Sequence, residues 1–90
     1  MTILRIVSRG LDRETYATMR EMLHIDTNHP LGLMHGVAEK DGKMHVAQVW
    51  AGPEYAQQFD EELLAPVLQA VGAPTNAQIT VFELEDVVTP

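Results

Sequence analysis

The chain has 90 residues, 46% of them hydrophobic, with six Lys and Arg against thirteen Asp and Glu and a formal charge of -7. That acidity opposes nucleic acid and anionic membranes as partners, because both are recognised through basic patches. The hydrophobic content excludes disorder, and the absence of cysteine excludes disulfides and thiolate metal centres.

Residues 1–90 are expected to form one domain with a modest core, since a chain this short buries only about 60–65% of the surface its unfolded form exposes. Oligomerisation is a natural supplement. The first residues carry neither a long apolar run nor a small-residue cleavage site, and no segment approaches the ~18–20 apolar residues of a membrane span. The expected location is the cytoplasm.

Residues 3–8 are rich in Ile, Leu and Val and read as a first strand. Gly10 follows, then Asp12, a good N-cap for a helix whose apolar stripe is Tyr16, Met19 and Leu23. The segment around Asp26, Pro30 and Gly32 is turn-rich. A hairpin over 31–50 then turns at Asp41-Gly42, the residue pair best suited to a type I′ turn. Lys40 therefore pairs with Lys43. One face carries Met34, Gly36, Ala38, His45, Ala47 and Val49. The other pairs Glu39 with Met44, Val37 with Val46, His35 with Gln48 and Leu33 with Trp50. Pro53 and Glu54 open a second helix with Tyr55, Phe59 and Leu63 on one stripe. Pro66 predicts a break or kink near Leu64 and Ala65, with a short continuation to Gly72. Residues 78–84 read as the last strand, and the tail to Pro90 as extended or frayed.

The order β-α-β-β-α-β predicts a ferredoxin-like α+β fold, a four-stranded antiparallel sheet with two helices on one face. The hairpin, however, is apolar on both faces, whereas a half-solvated sheet alternates with polar residues. The uncovered face is therefore expected to meet a second copy in a homodimer.

Trp50-Ala51-Gly52-Pro53-Glu54-Tyr55, Phe59, the Leu63-Leu64-Ala65-Pro66-Val67-Leu68 segment, Pro74 and the strand around Phe82 together resemble the dimeric α+β barrel superfamily. Within it, the chain is similar to small antibiotic-biosynthesis-type monooxygenases over nearly its full length. It departs from them after Trp50, where many relatives carry an acidic residue and then Ser or Thr. The resemblance implies a cofactor-independent monooxygenase-like enzyme acting on an aromatic or polyketide-type molecule. The alternative is a non-catalytic small-ligand-binding or stress-response-type dimer of the same fold. Haem-degrading relatives would require an axial ligand and an Asn facing the pocket, and both Asn28 and Asn76 fall in predicted loops.

His35, Gln48 and Trp50 are the candidate catalytic set. An imidazole, an amide and an indole donor converging on one hairpin face could hold a phenolic or quinol substrate. In oxygenation without a cofactor, a base forms an electron-rich anion that itself reduces O₂. The competing reading is that Trp50 is core packing and His35 with Gln48 a satisfied polar pair. Tyr16, Met19, Tyr55 and Phe59, with Met34 of the hairpin, are candidate substrate-binding residues for a small apolar or aromatic ligand. Arg5 and Arg9 share a strand parity and read as edge or interface ion-pair partners. His24 suits the end of the first helix. His24 and His29 lack ligand spacing, so no metal and no cofactor is expected. An enzyme or ligand binder of this kind should enclose a cavity on the order of 300 Å³ or more.

Overall fold

The computed structural model describes residues 1–23 and 32–86. His24, Asn28, His29 and the Pro30 turn lie outside the described residues, as do residues 87–90 of the tail. The elements are β1 (Ile3–Ser8), α1 (Arg13–Leu23), β2 (Gly32–Lys40), β3 (Lys43–Trp50), α2 (Pro53–Phe59), a π-helical turn (Asp60–Leu64), α3 (Ala65–Val71) and β4 (Gln78–Glu83). The strands form one antiparallel sheet in the order β2-β3-β1-β4. This is the ferredoxin-like plan.

Local chemistry explains where the elements begin and end. Asp12 caps α1 by accepting the Thr15 N–H at 2.7 Å. That bond holds the Asp12 carboxyl below the usual carboxylate range. The hairpin turns on Asp41 (φ 54°) and Gly42 (φ 78°), as a type I′ turn requires. The helical segment ends at Gly72 (φ 69°), where the N–H groups of Gly72 and Ala73 reach back to Gln69 and Leu68.

Pro66 does not break the second helical segment. The five-residue π turn before it widens the backbone, and the Ala65 N–H bonds to the carbonyl of Asp60. The wider turn absorbs the lost proline donor and ring volume while the helix runs on. A second departure lies in the hairpin. His35 pairs with Gln48 as expected, but the register shifts between Gly32 and Met34, so Trp50 sits opposite Gly32 rather than Leu33. Such a bulge adds local twist at the start of β2.

The core lies between the helices and the sheet. Ile3, Met19, Leu23, Trp50, Ala56, Phe59, Leu64 and Leu68 form its buried cluster. Trp50 is 1% exposed and packs on Phe59 with ring centroids 5.3 Å apart. The opposite sheet face carries Ile6, Met34 (65% exposed) and Phe82 (49% exposed). On that face Ser8 and His45 share a hydrogen bond of 2.7 Å. Among the described residues, no helix is long and apolar enough to cross a membrane.

Candidate functional site

The side chains of β1 alternate, so Ile3, Arg5 and Val7 share the helix face. Arg5 is thus a buried cation in the interior of the sheet, since β1 is flanked by β3 and β4. The ion pair expected for it forms, but in the interior of the sheet rather than at an edge. Its guanidinium meets Asp60 in a two-point clasp, Nη1 to Oδ2 at 2.6 Å and Nη2 to Oδ1 at 2.9 Å. Its Nε donates to Gln48 Oε1 at 2.9 Å. The Trp50 indole N–H donates to the same oxygen, also at 2.9 Å, and the guanidinium lies 5.9 Å from the Trp50 ring centroid. A planar bidentate pair is the geometry in which a buried guanidinium recovers most of its desolvation cost.

His35 stands on β2, with Nε2 3.2 Å from the Tyr16 hydroxyl. In one tautomer Tyr16 donates to Nε2; in the other Nε2–H donates to the phenol oxygen. The helix α1 and the strand β2 are thereby joined through two groups that can both handle a proton.

A cavity of about 50 Å³ lies between α1, the sheet and the π turn, lined by Val7, Arg9, Tyr16, His35, Gln48 and Phe59 among others. It is smaller than the expected size. A wider open cleft of about 320 Å³ adjoins it, lined by Arg13, Ala17, Val37 and Glu39 and sharing Tyr16, Arg20 and Met44 with it. Arg13 and Glu39 form an exposed ion pair of 3.2 Å across this cleft.

The candidate residues separate into groups. His35, Gln48, Tyr16, Met19 and Phe59 line the inner cavity together. Trp50 is joined to Gln48 but is itself core rather than cavity wall. Tyr55 packs against the core cluster outside the lining. Met34 pairs with Val49 on the opposite sheet face, and strand alternation keeps it from this cavity.

Sequence reasoning does not single out Arg9 and Asp60 for this site. Arg9 continues the Ile3, Arg5, Val7 parity past the end of β1 and lines the inner cavity. Its Nε is buried without a hydrogen-bond partner among the described residues. Burial lowers its pKa, the negative charge of Asp60 raises it, and the positive charge of Arg5 lowers it further. An unsatisfied buried donor costs about 1–3 kcal/mol, more for a charged group. The available signal is an arginine pair on an apolar strand face. Asp60 gives none, since its partner Arg5 lies 55 residues away in the chain.

No family model matches the chain, and no curated protein matches it either. Solved structures do. An antibiotic biosynthesis monooxygenase superposes with TM-score 0.66 at 11% identity, covering 93% of this chain and 99% of the other. A mutant of SnoaB, a cofactor-independent oxygenase from Streptomyces nogalater, gives 0.61 at 14% identity, covering 99% and 95%. A mutant of MhuD, with two manganese protoporphyrin IX bound per active site, gives 0.62 at 15% identity, covering 98% and 99%. The chain therefore shares the fold of these structures, a four-stranded antiparallel sheet with its helices on one face.

Proposed function

We propose that this chain, built on the monooxygenase-like α+β barrel fold, is a cofactor-independent oxygenase of a hydroxylated aromatic or polyketide-type small molecule. The observation that carries the reading is the Tyr16–His35 pair opening on the same cavity as Gln48. The inner cavity admits only a small group, so the body of the substrate occupies the adjoining cleft and only its reactive edge passes Tyr16 to reach His35 on the inner wall. His35 takes a proton from an activated ring CH₂, and Tyr16 holds the imidazole in position. The resulting anion passes electrons to O₂ and forms a carbon–oxygen bond. Loss of the second C–H proton with O–O cleavage then leaves C=O and releases water. One oxygen atom enters the product, the other leaves as water, and the substrate supplies all the electrons. Gln48, fixed by Arg5 and Trp50, supplies polarity at the cavity floor.

A homodimer through the face bearing Ile6, Met34 and Phe82, and a cytoplasmic location, complete the reading. The small inner cavity supports a second reading, a ligand-binding dimer without turnover. A porphyrin does not fit an inner cavity of about 50 Å³. The test is O₂ consumption with a panel of anthrones and hydroquinones in the presence of a chelator, using ¹⁸O₂. The reading predicts uptake above buffer and one labelled atom per ketone product. Tight binding without uptake across the panel would replace it with the non-catalytic reading.

A further inference from the structure

We propose that the inner cavity is an anion subsite, and that the ligand of this protein is an apolar ring bearing a carboxylate which Arg9 receives. The inference rests on the same cavity as the proposed oxygenase site, but it stands or falls by a different measurement. Arg9 Nε is buried with no hydrogen-bond partner among the described residues, in a cavity whose walls are otherwise mostly apolar. A guanidinium offers donors and no acceptor, so only an acceptor satisfies that Nε, and an anion does so most strongly. Arg5 cannot compete for the ligand, because it is clasped by Asp60 on two atoms and by Gln48 on a third. Asp60 therefore gives its hydrogen-bonding oxygens to Arg5 and reaches Arg9 only through its charge, so Arg9 Nε keeps an unmet demand for an acceptor.

The dimensions separate head from body. About 50 Å³ accommodates a group the size of a carboxylate or a few waters, not a ring. The ring belongs in the outer cleft of about 320 Å³, where Ala17, Val37 and Met44 supply apolar wall. Tyr16, Arg20 and Met44 border both spaces, so one ligand can span them. The chain's formal charge of -7 repels anions at long range. Selection must therefore come from the local cations, Arg9 inside the cavity with Arg20 at its border, rather than from electrostatic steering.

The experiment is calorimetric titration of the full chain with 1-naphthoate and with its neutral isostere 1-naphthamide. Wild type should bind naphthoate at least tenfold more tightly than naphthamide. Arg9→Gln should lose that preference while binding naphthamide as wild type does, which also shows that the variant is folded. Lys40→Gln, an exposed charge that lines neither space, should leave the preference intact. Equal binding of the two probes to wild type, naphthoate binding unaffected by Arg9→Gln, or no binding of either probe at millimolar concentration would overturn the proposal. Oxygen uptake is read in parallel. Turnover of neutral phenols without naphthoate preference removes the anion subsite and leaves the oxygenase reading. Naphthoate preference without any turnover does the reverse.

Discussion

Removing the Asp60 carboxylate should destabilise this domain more than any other single change to a surface-facing acidic residue. Arg5 has a side chain only 6% exposed, and its partner Asp60 is 30% exposed. In Asp60→Ala the guanidinium stays under the helices and loses both oxygens of its clasp. Breaking a buried pair from one side costs about 3–5 kcal/mol. Water reaching the partly exposed Asp60 side of the pair screens some of that loss. The expected penalty is thus roughly 2–3 kcal/mol by these two principles. At about 4–8 °C per kcal/mol for a domain of this size, the melting temperature should fall by on the order of 10–20 °C. The chain has a single tryptophan, Trp50, hydrogen-bonded into the same cluster, so its fluorescence reports the transition. The double variant Arg5→Met with Asp60→Leu should recover most of the loss, because a buried pair exchanged for apolar groups of similar volume is near neutral. A melt of Asp60→Ala within about 3 °C of wild type would refute the clasp as the element that secures the π turn to the sheet.

The N-cap gives a pH signature. Because the folded Asp12 carboxyl is lowered, its contribution is fully present above its unfolded value and is lost as pH falls through the folded one. Asp12→Asn keeps the cap, so its stability relative to wild type should rise as pH falls from 5 to 3, read by urea melts at about those values. Gly72→Ala should cost about 1–2 kcal/mol, a purely backbone effect, since a Cβ there meets nothing within 4 Å while φ is 69°. Urea denaturation with an unchanged m-value checks it, and a neutral result would contradict the left-handed C-cap. Phe82→Glu, on the uncovered sheet face, should convert a dimer to monomers at micromolar concentration in sedimentation. A wild type already monomeric there would reject that interface.

The parts of the fold set by neighbours in sequence are legible in it. Asp41-Gly42 dictates the turn, and period-two counting from Lys40 and Lys43 carries the register correctly to His35 and Gln48. It fails at Leu33, because the register shift between Gly32 and Met34 sets an extra residue into β2 that period-two counting does not include. Pro66 reads as a helix break or kink from its missing donor, and the irregularity does fall there, as a wider turn over Asp60–Leu64 rather than a break. The Arg5–Asp60 clasp spans 55 residues, so no periodicity could announce it. Arg9 is visible as a cation on an apolar parity. What burial does to its Nε depends on Asp60 facing Arg5 instead, a choice made only in the folded chain.

The central claim is that His35, held by Tyr16, removes the proton that starts oxygenation. It is tested most directly by oxygen consumption with an anthrone in wild type, His35→Ala and Tyr16→Phe, each first shown to retain the native Trp50 fluorescence. General-base loss is worth about 10²–10⁴-fold in rate, so His35→Ala should fall by that factor. Tyr16→Phe, which loses the 3.2 Å contact that positions the ring, should fall less and shift its pH profile. Oxygen uptake by His35→Ala at the wild-type rate would contradict the account.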